Sequence, residues 1–184
     1  MILENINFEK IESQIIEIFS KNNIKSLEIN KLIKTLAVAN FKCYKANMII
    51  LEQREREDCI EKYKAISDNE YIARNVGEQR VFSKAKINKV LSNLFNSDTR
   101  TPHNWTEDDV VYSVGEMLDR IIIEHIKQQQ FEQDGSEEKK YNSKEWQDRV
   151  IKYLDDKLRS VVIRNSYKSV EEMRTYILKG NNNE

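Results

Sequence analysis

The stretch that decides the fold is residues 113–127, which read SVGEMLDRIIIEHIK. Its apolar side chains recur at steps of three and four residues, which places them on one face of an α-helix: Val114, Met117, Leu118, Ile121, Ile122 and Ile126. We predict that this helix begins near Thr106, where Asp109 completes a capping pattern. Because the apolar face is wider than one narrow stripe, it also predicts a homo-oligomer.

The same spacing predicts five further helices around this one. Capping patterns mark two of the starts, Ser67 with Glu70 and Asn142 with Glu145. Trp146 is expected on the core face of the helix that Asn142 opens. The predicted spans, three upstream and two downstream, are 7–22, 27–67, 67–95, 142–162 and 169–180. The fold class is therefore predicted as all-α, with about six helices in a bundle.

The composition limits the alternatives. The 184 residues are 39% hydrophobic and 33% charged and include only four Gly and one Pro, which is too few for a β-sandwich, a β-barrel or a Gly-rich phosphate loop. Pro102 lies in a polar linker, 96–106, inside one predicted domain that spans 1–184. The linker divides two candidate halves, 1–95 and 107–180, and the apolar positions of 32–42 and 117–127 align at a constant offset. A duplicated helical hairpin is one interpretation of that alignment, and chance similarity is the other.

Charge and cysteine content indicate the compartment. The formal net charge is −1, so the whole chain has no broad attraction for nucleic acid or an anionic membrane. Cys43 and Cys59 fall within one predicted helix, too far apart to form a disulfide, which favours a reducing environment. No stretch reaches the eighteen apolar residues that a membrane span needs. We therefore expect a cytoplasmic protein with no membrane contact.

The segment 113–127 also carries a motif. Its matching residues are Gly115, Glu116, Asp119, Arg120, Ile123 and Lys127. This pattern resembles V-G-E-L-I-D-K-L-S-I-x-N-I-K, which is found in small, uncharacterised helical proteins of bacteria and their phages. The sequence departs from it at Ile122, His125 and Gln129, while Asn40 and Arg80 are similar to further elements of the pattern. The resemblance implies a helical fold and a phage or mobile-element context, with no particular reaction.

The leading functional hypothesis is a non-enzymatic binding protein of phage type with an anti-defence role. It would contact a host protein or sequester a small anionic ligand such as a nucleotide, without a cofactor or metal. Lys and Arg side chains would hold the anion, while Asn40 and Asp119 would orient them. The predicted ligand-binding set is Asp119, Arg120 and Lys127 from the motif, with Asn40, Lys42 and Arg80 from the first half.

Two alternatives remain open on the sequence. Paired acids on helices can hold Mg²⁺, as in all-α nucleotide pyrophosphohydrolases, and the pairs here are Glu52 with Glu55 and Glu116 with Asp119. Neighbouring arginines favour ion-pair ladders over a metal site at these positions. Basic residues interleaved with aromatic ones suggest a nucleic-acid-binding module instead. His125 is predicted as a buried neutral imidazole, and no spacing of Cys and His residues indicates zinc.

Overall fold

The computed structural model describes residues 6–95, 113–165 and 167, and these form an all-α bundle with no strand among them. Its five helices are α1 Glu9–Lys21, α2 Leu27–Arg54, α3 Ile60–Leu94, α4 Val114–Gln133 and α5 Glu137–Arg164. The predicted all-α class is confirmed, with five helices where about six were expected. The linker 96–106, the start at Thr106 and the sixth helix over 169–180 lie outside the described residues. None of the described helices combines the length and apolarity that a bilayer crossing requires.

The apolar core lies where α4 meets the other four helices. The residues of α4 that the periodicity placed on its apolar face are all buried, among them Leu118, Ile121 and Ile122 with no exposed surface. Ile11 and Ile15 of α1, Leu36 of α2, Leu91 of α3 and Leu154 of α5 belong to the same core. Because α4 is covered by its own chain on more than one side, its wide apolar face has an intramolecular cause and no longer argues for a homo-oligomer.

The predicted path of the second and third helices was wrong. A turn at 55–59 separates α2 from α3, and Ser67 lies inside α3 and does not cap a helix start. The true N-cap of α3 is Cys59, whose sulfur accepts a hydrogen bond from Lys62 N at 3.4 Å. Lys62 Nζ closes the turn by donating to Arg56 O at 2.7 Å. This turn needs neither Gly nor Pro, so composition did not reveal it. Cys43 and Cys59 consequently lie on different elements, and both are free thiols.

A tight turn at 134–136 joins α4 to α5. Gly135 adopts φ +67° there, and α5 begins at Glu137, five residues before the predicted Asn142. Trp146 was predicted in the core, but 53% of it is exposed. The ring instead packs beneath two guanidinium groups, with Arg120 Cζ at 5.9 Å and Arg149 Cζ at 5.7 Å from its centroid. Cation–π contacts of this kind can stabilise an aromatic ring at the surface, and helical spacing does not distinguish such a ring from a buried one.

The helices α2 and α3 continue well past the core as an antiparallel pair. We call residues 45–79 the arm, since no residue of that range belongs to the apolar core or packs against it. Within the arm the two helices bury only a narrow seam, which includes Ala46, Ile50 and Val76. Large apolar side chains remain exposed along the arm: Leu51, Ile60, Tyr63, Tyr71 and Ile72. The arm therefore exposes apolar surface that packing within the described chain does not account for.

Candidate functional site

The start of α4 is fixed against α3 by the first residues of the motif. Ser113 caps α4, its hydroxyl accepting a hydrogen bond from Glu116 N at 3.3 Å. A Cβ at Gly115 would lie 2.7 Å from Lys84 O and 3.0 Å from Lys84 Cα, so only glycine lets the two backbones approach this closely. Ser113 and Glu116 thus form a capping pattern at the start of α4, and Gly115 permits close packing of α4 on α3.

Asn88 of α3 completes this junction. Its Oδ1 accepts from Gly115 N at 3.0 Å and from the Tyr167 hydroxyl at 2.7 Å, while its Nδ2 donates to Ser113 Oγ at 3.1 Å. The Tyr167 hydroxyl accepts in turn from Val114 N at 3.2 Å. Two of the backbone N–H groups that a helix start leaves unpaired are therefore satisfied inside the protein. Asn88 carried no signal in the sequence that could have identified it.

One turn further along α4, Asp119 joins three helices in a buried cluster. Its carboxylate accepts two hydrogen bonds from Arg80 of α3, from Nε at 3.2 Å and from Nη2 at 2.8 Å. Asn40 Nδ2 of α2 donates to the same carboxylate at 2.8 Å. Three of the six predicted ligand-binding residues, Asn40, Arg80 and Asp119, are therefore brought together, although they are far apart in the sequence.

The charges in this cluster largely cancel one another. Lys84 lies 2.9 Å from Glu116 Oε1 and 3.7 Å from Asp119 Oδ2, so two cations face two carboxylates. Burial lowers the pKa of Arg80, but its hydrogen bonds and attraction to Asp119 outweigh burial, and the pKa is raised overall. With its guanidinium engaged and no net local charge, the cluster is better suited to holding α2, α3 and α4 together than to attracting an anion.

The other three predicted residues lie elsewhere. Arg120 and Lys127 both reach Glu124, whose side chain is 3% exposed, at 3.0 Å and 3.1 Å from Oε1. Ser143 of α5 donates to Glu124 Oε2 at 2.6 Å. Lys42 is exposed on α2. Since neighbouring positions on a helix point about 100° apart, Asp119 faces α2 and α3 while Arg120 faces α5. Sequence reasoning missed Glu124, because a single acid in a mixed-charge helix carries no distinctive pattern.

The four acids of the hydrolase alternative do not meet. Glu52 lies twelve residues beyond Asn40 on α2, which is about 18 Å along the helix axis, while Asp119 contacts Asn40 itself. Glu52 pairs with Arg56 at 2.9 Å near the far end of the arm. Among the described residues, no three His, Cys, Asp or Glu side chains lie close enough together to form a metal site. This arrangement gives the two pairs no shared Mg²⁺ position.

His125 lies between α4 and the residues before α1. Its Nε2 is 2.8 Å from Asn7 O and 2.6 Å from Gln129 Nε2, and the residue is 9% exposed. Burial lowers the pKa of His125, the charge of Lys10 adds to this, and the hydrogen bond to the Asn7 carbonyl opposes it. Nε2 can either donate to the Asn7 carbonyl or accept from Gln129 Nε2, and burial favours the neutral imidazole that the sequence predicted.

A pH-dependent stability follows from His125. Since its folded-state pKa lies below the unfolded value of about 6.5, its neutral form stabilises the fold above that pH, and this stabilisation is lost as the pH falls. We expect the melting temperature to fall between about pH 7 and pH 5. The His125→Gln variant should show a flatter profile in thermal unfolding followed by circular dichroism. An equally steep profile in that variant would contradict the assignment.

A groove runs between α2 and α3 within the arm. It has a volume of about 620 Å³, is open along one side, and is lined by Asn47, Ile50, Leu51, Arg54, Glu70, Ala73 and Arg74. Neither Arg54 nor Arg74 forms an ion pair with another described residue, whereas Arg80 and Arg56 do. The groove could not be predicted, because only the turn at 55–59 brings Arg54 and Arg74 to the same place.

Five of the six matching residues of the motif, all except Ile123, therefore have a structural role. Gly115 permits close packing on α3, Asp119 anchors α2 and α3, and Arg120 and Lys127 hold Glu124 beside α5. The motif resembles that of phage and bacterial helical proteins in its sequence pattern only. No protein-family model, curated protein or solved structure matches this chain.

Proposed function

We propose that this chain is a non-enzymatic helical binding protein, and that it binds a partner protein in the groove of the arm. The single observation that carries the proposal is the contrast between two sets of arginines. Arg80 in the three-helix cluster is neutralised by Asp119, while Arg54 and Arg74 line an open groove without an ion-pair partner among the described residues.

The lining of the groove suggests the chemistry of the partner. Leu51 is 54% exposed and lies beside Arg54, so an apolar contact adjoins a cationic one. Arginine is enriched in protein interfaces because its planar fork can bind a carboxylate through two parallel hydrogen bonds. A partner segment with acidic and apolar side chains next to each other would match this lining. A host protein of this chemistry is the partner we favour.

A small anionic ligand such as a nucleotide is the second candidate. A volume of about 620 Å³ falls within the usual range for small-molecule sites, roughly 300–1,000 Å³. Two arginines could clasp a phosphate, and Asn47 could bind a base or sugar. The open side of the groove favours a protein segment, because small ligands are usually enclosed over most of their surface.

Charge reversal in the groove should abolish partner binding. We expect the protein purified from its own cells to retain a partner, visible by native mass spectrometry as added mass, and Arg54→Glu/Arg74→Glu to lose it. An added mass of protein size supports the leading proposal, while one of a few hundred daltons supports the nucleotide. The matched control is Lys139→Glu/Arg164→Glu on exposed positions of α5. Equal retention by both double variants would refute the groove as the site.

The remaining functional predictions rest on the sequence alone. The phage or mobile-element setting, the anti-defence role, the cytoplasmic location and the use of Arg120, Lys127 and Lys42 for ligand binding stay predictions. Nucleic-acid binding by the basic residues of the first half of the chain would give an affinity that falls steeply with salt concentration. A flat salt response of partner binding would count against that third alternative.

A further inference from the structure

The outer face of α3 has a regular pattern that its own chain leaves uncovered. Lys62 and Val76 are buried, and each precedes a member of the exposed face, Lys64 or Glu78, by two residues. Positions two residues later along the helix lie about 200° around it and so face the opposite way. That outward face carries a stripe we call the outer stripe, made of Ile60, Lys64, Tyr71, Glu78 and Phe82. Its spacing of four and seven residues is the one that long helix–helix contacts use.

The apolar members of the outer stripe are among the most exposed in the described chain. Ile60 is 83% exposed, Tyr71 67% and Phe82 65%. They span about 33 Å of helix, at 1.5 Å per residue. Isolated apolar residues on a surface need no explanation, but a row of three at helical spacing on one straight helix is typical of a contact surface.

The charged members of the outer stripe are also unused. Neither Lys64 nor Glu78 forms an ion pair with another described residue. On the same helix Lys62 pairs with Asp58, Arg80 with Asp119 and Lys84 with Glu116. Ion pairing within the chain is thus common on the inner side and flanks of α3 and missing on this stripe.

We propose that the outer stripe is the contact surface of a homodimer, in which two α3 helices pack antiparallel about a two-fold axis at Tyr71. In an antiparallel pair centred there, residues equally far before and after Tyr71 face each other. Lys64 and Glu78 each lie seven residues from Tyr71, so each faces its opposite charge, twice by symmetry. Ile60 and Phe82 each lie eleven residues away and form an apolar contact, also twice. One and the same register therefore pairs the opposite charges with each other and the apolar side chains with each other.

This inference goes beyond the proposed function and does not depend on it. The groove with Arg54 lies where α2 and α3 meet, whereas the outer stripe faces away from α2. A dimer of this geometry would leave the groove of each copy open to the partner protein of the proposed function. Failure of the dimer would appear in the oligomeric mass alone, and failure of the groove proposal would appear in partner retention alone.

The test is sedimentation velocity on the full chain, from low micromolar to near-millimolar concentration. We expect wild-type protein to reach twice the chain mass of 21.9 kDa. Lys64→Glu places like charges together at two points and should raise the dimer dissociation constant about tenfold or more, as should Glu78→Lys. The double variant Lys64→Glu/Glu78→Lys restores both pairs and should return the constant to within about threefold of the wild-type value.

The exchange of charges keeps the experiment decisive even if a single variant is poorly folded. The exposed Lys139→Glu on α5 is the control and should leave the dissociation constant unchanged. A wild-type chain that stays monomeric over the whole range would overturn the dimer. So would a dimer that tolerates each single reversal, or one that the double exchange fails to restore, because either result would place the contact on another surface.

Discussion

Replacing Asp119 by alanine is expected to lower the free energy of unfolding by about 3–5 kcal/mol, the usual cost of removing one partner from a buried ion pair. The carboxylate is 8% exposed and accepts hydrogen bonds from both Arg80 and Asn40. Its removal takes the carboxylate acceptor away from the Arg80 guanidinium and the Asn40 amide, and leaves the guanidinium without its counter-charge. The loss should therefore exceed the value of a single hydrogen bond, which is about 1 kcal/mol.

Urea unfolding followed by circular dichroism measures this effect. Asp156→Ala on an exposed position of α5 is the matched control and should change stability by less than about 0.5 kcal/mol. The Arg80→Met/Asp119→Ala variant should be more stable than Asp119→Ala alone, because it removes the unpaired charge. A loss below about 1 kcal/mol for Asp119→Ala would show that the cluster does not hold the three helices together.

Alanine at the two helical glycines is expected to have opposite effects. At Gly115 the new Cβ would lie 2.7 Å from the carbonyl oxygen of Lys84, part of a backbone that cannot move independently of α3, so we expect a loss of about 1–3 kcal/mol. At Gly77, in the middle of α3, a Cβ would meet no atom within 4 Å. There the better helix propensity of alanine should add about 0.5–1 kcal/mol.

Because the substitution is the same at both sites, the comparison separates the effect of packing on stability from the effect of helix propensity. Thermal unfolding of the two single variants beside the wild type is sufficient, with Gly115→Ala melting lower and Gly77→Ala melting higher. If both variants shift in the same direction, the close contact of Gly115 with Lys84 does not determine the position of α4.

Much of the fold was predictable because burial follows helical periodicity. The apolar positions of α4 and of α1, such as Ile122 and Ile15, are buried where their spacing predicted. Periodicity does not, however, say where a long helix folds back. The chain turns at 55–59 with a thiol as the cap and Lys62 bound to a carbonyl, and neither feature differs in composition from a solvated helix. The prediction that Trp146 lies in the core was wrong for a related reason, since flanking arginines can stabilise an exposed ring.

The candidate site was predictable only in part. Asn40, Arg80 and Asp119 do meet, which the motif and its similar elements in the first half suggested. Arg120 follows Asp119 directly, yet the helical rotation turns it toward Glu124 and α5. The groove of the arm depends on a pairing of α2 with α3 that no local pattern contains. Residues from two helices become one site only through the turn that joins them, and that turn was missed.

Site-specific photo-cross-linking in the protein's own cells tests the central claim most directly. A photoreactive residue at Leu51, which lines the groove, should capture the partner, while one at Ile163, 77% exposed on α5, should capture nothing. Both positions are apolar and accessible, so a difference in cross-linking between them reflects where the partner binds. Cross-linking at Leu51 that Arg54→Glu/Arg74→Glu abolishes is the predicted result. A partner captured at Ile163 and not at Leu51 would contradict binding through the arm.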